Sequence, residues 1–157
     1  MKAASATEIK RRLKDLDKNE LTDLVLRLSR YKKENKELLT FLLFEADDIT
    51  AFTAGVKDEL DGIFASVNTT SVFFAKKTVR RALRTANRYI RYAGDKTVEL
   101  EILLHYCNNF SKIALDWKRS TLLSNMYKAQ VKKITEAIDS MHEDLQYDYQ
   151  RALQKLG

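Results

Sequence analysis

Two histidines and a single cysteine bound the side-chain chemistry open to this 157-residue chain. Glu101 and His105 stand four residues apart. On a helix they share a face, a spacing compatible with metal ligation. Asp139 and His142 stand three apart. Helical bundles hold di-iron centres with Glu-x-x-His pairs and two further Glu. No Glu-x-x-His occurs here, and the second pair uses Asp. His105 lies in an apolar run and reads as a hydrogen-bonded core histidine. The sequence therefore predicts no metal and no cofactor, and a helical metalloprotein or enzyme using His105, Glu101 and His142 is the rival reading. Cys107 has no basic neighbour in the same run and reads as a buried, inert thiol rather than a nucleophile. Asp47 and Asp48 are adjacent, so they point to different helix faces and suit a helix cap better than paired acids. Gly-x-Ser-x-Gly, GxGxxG and GxxxxGK runs are all missing, which removes the commonest nucleophile and phosphate-loop signatures. No named reaction is supported, and the expectation is a protein that is not an enzyme.

A different chemistry is written in the segment 69–94, which carries seven basic residues and no acidic one. They are Lys76, Lys77, Arg80, Arg81, Arg84, Arg88 and Arg91. At 100° per residue, with Lys76 at zero, they fall within an arc of roughly 0–140°. Ala75, Val79, Ala82, Leu83, Ala86, Tyr89, Ile90 and Ala93 fall at roughly 220–340°. One face is built for a core and the other is a cationic stripe. Arg predominates in it, and its guanidinium can grip phosphate or carboxylate with paired donors. The stripe is the candidate site for an anionic partner, either an acidic protein or nucleic acid. Contacts to a nucleic-acid backbone position without reading bases and are salt-sensitive. The competing reading is internal. Residues 41–68 hold Glu45, Asp47, Asp48, Asp58, Glu59 and Asp61 against Lys57 alone, a net charge of −5. Two neighbouring helices of opposite charge can neutralise each other. Tyr147, Tyr149, Tyr89 and Tyr92 could stack on bases, but tyrosines at helical spacing more often rim a core.

The elements that must position these residues are helical throughout. Ile9, Leu13 and Leu16 predict a helix over 7–16. Asp17-Lys18-Asn19-Glu20 reads as a capping box for the next, which carries Leu21, Leu24, Val25, Leu28 and Tyr31. A third helix is expected over 36–44, and Asp47 or Asp48 caps a fourth that contains Gly55 and Gly62. Asn68-Thr69-Thr70-Ser71 supplies the cap of the fifth, which ends at Gly94. Asp95 or Thr97 starts a sixth helix, expected to reach Trp117. That one is apolar around most of its circumference, so it is placed at the centre, with Leu103, Leu104 and Phe110 as the heart of the core. Ser120 caps a seventh helix predicted to run on to Leu156, more than thirty residues without Gly or Pro. Along it Ile134, Ile138, Met141 and Leu145 alternate like a coiled-coil seam, so a homodimer along this helix is a third reading.

Composition agrees. There are four Gly and no Pro, which argues against a hairpin-rich β fold. With 45% hydrophobic and 32% charged residues, wholesale disorder is excluded. A lone cysteine makes no internal disulfide. The first residues lead into no apolar run of signal-peptide length, and no stretch approaches the ~20 apolar residues of a membrane span. The fold class expected is all-α, with about seven helices in a bundle or a short solenoid of helical hairpins around a central apolar helix. One domain is expected over 1–157, with an N-terminal helical hairpin at 7–32. The reading is a cytoplasmic, non-catalytic interaction module, with no membrane partner.

Two stretches resemble known sequences. Leu13-Lys14-Asp15-Leu16-Asp17-Lys18-Asn19-Glu20-Leu21, followed by Leu24-Val25-Leu26-Arg27-Leu28, has the form LKxLxKxELxxLxxxL. Ala75-Lys76-Lys77-Thr78-Val79 leads through Gly94-Asp95 to Leu103-Leu104-His105-Tyr106-Cys107. Their order resembles an uncharacterised all-helical family of bacterial proteins of unknown function, which implies a helical fold and no catalytic residues. The first stretch is also similar to the SAP motif, a helix-turn-helix nucleic-acid module. Ser29-Arg30-Tyr31 stands where that motif carries a Gly.

Overall fold

The computed structural model describes residues 1–156. The chain falls into two compact units, the first Met1–Phe44 and the second from Glu45 onward. The hairpin expected at 7–32 lies inside the first. Among the described residues the regular structure is all helical.

The first unit holds α1 (Ala6–Lys14), α2 (Lys18–Tyr31) and α3 (Lys33–Thr40). Both of its first two helices start on a reciprocal capping box. Asp17 accepts from the Glu20 amide at 2.9 Å, and the Glu20 carboxylate accepts from the Asp17 amide at 2.8 Å. Ser5 and Glu8 do the same for α1. Each box satisfies two amides that have no helical partner. α2 packs against α3, and the Asn35 amide donates across their junction to the Leu28 carbonyl at 2.8 Å. No side chain of these three helices is buried. The third helix ends at Thr40 rather than running through Phe44, because Phe41–Glu45 winds as a π-helical turn.

The second unit holds α4 (Ile49–Ala65), α5 (Val72–Ala93), α6 (Lys96–Ser111), α7 (Thr121–Asp139) and α8 (Glu143–Gln154). α6 is central as expected, packing against α4, α5 and α7. It buries Val98, Leu100, Ile102, Leu103, Tyr106, Cys107 and Phe110. α4 is continuous through Gly55 and Gly62, where a Cβ would meet nothing within 4 Å. An aromatic chain runs through the core. Phe110 meets Tyr106, Trp117 and Tyr127 with ring centroids 5.9, 5.1 and 5.4 Å apart, and Tyr106 meets Phe64.

Three expectations are corrected. Leu104 is only half-buried, since it lies on the arc of α6 that α4, α5 and α7 leave uncovered. The sixth helix stops at Ser111, where the Ser111 hydroxyl donates back to the Asn108 carbonyl at 2.8 Å. Ile113 and Trp117 still reach the core, the latter from a short 3-10 turn at Trp117–Arg119. The long final helix breaks into two, giving eight α-helices among the described residues. The Ser140 hydroxyl donates to the Ala137 carbonyl at 2.7 Å, His142 takes extended backbone as the cap of α8, and the Gln146 amide donates to the Met141 carbonyl at 2.8 Å. Local side-chain bonds of this kind compete with the helix ladder. Of the four residues read as a seam, Ile134 and Ile138 are buried within the unit, Met141 is half-buried and Leu145 is exposed; the break at Ser140 sets the first two and Leu145 on different helices.

Candidate functional site

The stripe is positioned by α5, whose limits the sequence dictates. Ser71 is its N-cap, accepting from the Phe74 amide. Gly94 ends it in the left-handed conformation at φ 60°, which suits glycine and strains other residues. Its inner face buries Ala75, Val79, Ala82, Thr85 and Ala86. Four of these are small or β-branched apolar residues that let the helix lie close on its neighbours, and the Val79 carbonyl accepts from the buried Tyr106 hydroxyl at 3.3 Å. The outward arc is thereby fixed.

Lys77, Arg80, Arg81, Arg84 and Arg91 are exposed, and Lys76 and Arg88 are half-buried. Arg88 is the member that α4 neutralises. Its guanidinium lies 3.8 Å from the Glu59 carboxylate and packs over the Tyr89 ring at 4.9 Å. The Tyr89 hydroxyl donates to Glu59 at 2.7 Å. Burial, and then the bond to Glu59, pushes the Tyr89 hydroxyl above its usual range. The other six cations form no ion pair with a carboxylate among the described residues. Two further carboxylates of the acidic segment are used elsewhere. Asp48 caps α4, accepting from the Ala51 amide. Asp61 accepts from Asn109 and pairs with His105, both at 2.6 Å. Lys57 bonds Glu101 at 2.7 Å.

Two residues of this face were not singled out by sequence reasoning. Phe73 and Phe74 are 55% and 43% exposed at the head of the helix. Their rings meet edge to face at 5.4 Å. The Lys77 ammonium sits 4.6 Å from the Phe73 ring centre and 5.7 Å from that of Phe74, and Lys76 is 5.4 Å from Phe73. The signal was present in the wheel. Counted from Lys76, Phe73 falls near 60° and Phe74 near 160°, inside or beside the cationic arc and far from the core arc.

The metal-ligand pairs dissolve into separate contacts. Glu101 is taken by Lys57, and His105 turns its Nε2 to Asp61. Burial acts to raise the Asp61 pKa, but the bonds from Asn109 and His105 outweigh it and hold the carboxyl below its usual range. Its contribution to stability is therefore present above the ordinary Asp range near pH 4 and fades as pH falls below it. His142 caps α8, its Nδ1 accepting from the Asp144 amide at 3.4 Å, away from Asp139, of which the backbone carbonyl accepts from Gln146. Among the described residues no group of three His, Cys, Asp or Glu could hold a metal ion. A polar cleft of about 660 Å³ opens beside α6 and α8. Its Lys57 and Glu101 neutralise each other, and His105 is engaged by Asp61.

Cys107 is fully buried, and burial pushes its thiol up to about 12. The thiolate is the reactive form. A disulfide-exchange reagent at neutral pH should leave the native thiol unmodified and titrate one thiol per chain once guanidinium unfolds it. Rapid labelling of the native protein would show that α6 is wrongly placed.

Among the described residues no helix is long and apolar enough to cross a membrane. No protein-family model, curated protein or solved structure matches the chain. The functional reading therefore rests on geometry and charge alone.

Proposed function

We propose that this protein is a non-catalytic helical interaction module that presents the outer face of α5 to an anionic macromolecule, and that this macromolecule is single-stranded nucleic acid. One observation carries the reading: among the described residues, six cations of one helix face form no ion pair with a carboxylate although an acidic helix lies against it. From Lys76 to Arg91 the row extends about 22 Å. A small anion would occupy one turn of it. A polymer with regularly repeated charge matches the whole length, and each contact releases counterions. Phe73 and Phe74 favour a single strand. Bases of a duplex are stacked on each other, whereas those of a single strand are free to stack on exposed rings. The cytoplasm is the compartment this reading implies.

The test is fluorescence anisotropy with labelled single-stranded and duplex oligonucleotides of one sequence at low salt. The single strand should bind more tightly, and Phe73→Ala/Phe74→Ala should cost about tenfold or more in its affinity, since stacking contributes about 1–3 kcal/mol per base. Tighter binding to the duplex would remove the role given to the rings. Binding to polyglutamate with none to either oligonucleotide would move the assignment to an acidic protein partner.

A further inference from the structure

The first unit raises a separate question. Three helices bury no side chain, and α2 leaves Leu24, Leu28 and Tyr31 exposed by 40%, 55% and 77%. Beside them an apolar groove of about 360 Å³ between α2 and α3 is lined by Val25, Leu28, Leu38 and Leu42 among others. In this unit Phe41 alone, in the turn after α3, is buried, and a unit of this size with so small a core ordinarily needs a disulfide, a metal or a partner subunit. Apolar surface gathered on one helix pair marks an interaction site.

We propose that a second copy of this chain covers it, with α2 packed antiparallel on α2 of the other copy. The charges of α2 select that occupant and that direction. Leu21, Leu24, Leu28 and Tyr31 alternate three, four and three residues apart, the spacing of a coiled-coil seam. Glu20 and Arg27 stand seven apart and so flank this seam on the same edge. In a two-fold antiparallel pair about the region of Leu24, each Glu20 faces the other copy's Arg27. Both contacts are attractive and both arise from one sequence. A parallel pair would set Glu20 toward the second copy's Val25 and lose both contacts. The surface is thus self-complementary in one orientation, as an isologous interface requires. It is independent of the α5 face, and its failure would leave the nucleic-acid reading intact.

The experiment is sedimentation velocity on the full chain from submicromolar to high-micromolar concentration. A monomer–dimer equilibrium is expected. Leu24→Asp should abolish it. Arg27→Glu should weaken it at least about tenfold, because two like-charge contacts replace two attractive ones. Adding Glu20→Gln to Arg27→Glu should recover part of the loss, since Gln keeps the capping box and removes the repulsion. Far-ultraviolet circular dichroism of each variant checks that the helices persist. A monomer at every concentration overturns the proposal. So does a dimer that ignores both Leu24→Asp and Arg27→Glu, because it would use another surface.

Discussion

Replacing Arg80, Arg84 and Arg91 together with Glu should reduce affinity for a single-stranded oligonucleotide by about 100-fold or more at roughly 50 mM salt. These three lie along one line of α5, each is exposed, and none has an ion-pair partner among the described residues. The reversal removes half of the six unneutralised cations and adds three repulsive charges. It should leave the fold unchanged, because the inner face of α5 is untouched. Arg88→Gln is the internal control. Its guanidinium already meets Glu59 and the Tyr89 ring, so its loss should change affinity by less than about threefold, as one partly screened charge among seven would. A triple variant that binds as the native protein does would show that the stripe is an ordinary solvated face.

The largest stability effect should come from Phe110→Ala. Phe110 is fully buried and contacts three rings at once. Truncation of such a side chain costs about 3–5 kcal/mol through lost burial and the cavity left behind. For a unit of this size that corresponds to a fall of about 15 °C in Tm. Leu104→Ala on the same helix should cost clearly less, because Leu104 is half-exposed at the rim of the polar cleft. Scanning calorimetry of the two variants separates the cases. Equal shifts would mean that α6 is rotated from its place in the core.

The contrast between these two residues shows what a sequence conveys. The all-α class, the central place of α6, and the caps at Asp17, Asp48, Ser71, Asp95 and Ser120 follow from local patterns, each satisfied within a few residues. Helix breaks are harder. At Ser140 the chain leaves the helix without Gly or Pro, through bonds from Ser140 and Gln146 that compete with the backbone ladder. Leu104 is as apolar as Leu103, so hydropathy could not tell the rim from the core; only the packing of neighbouring helices does. The cationic arc was legible because it is local to one helix. Whether it was neutralised depended on where α4 turned its carboxylates. Glu59 reaches Arg88 while Asp61 turns to His105 and Asn109, a question of rotation about the α4 axis that spacing alone leaves open. Phe73 and Phe74 were visible on the wheel, but aromatic residues are taken for core by default.

The most direct test of the α5 face is the salt dependence of oligonucleotide binding. With six unneutralised cations engaged on a single strand, log K plotted against log salt should fall with a slope of about −4, and of about −2 once Arg80, Arg84 and Arg91 are reversed. A slope near zero, or no binding even at the lowest salt, would contradict the assignment of this face to a nucleic-acid backbone.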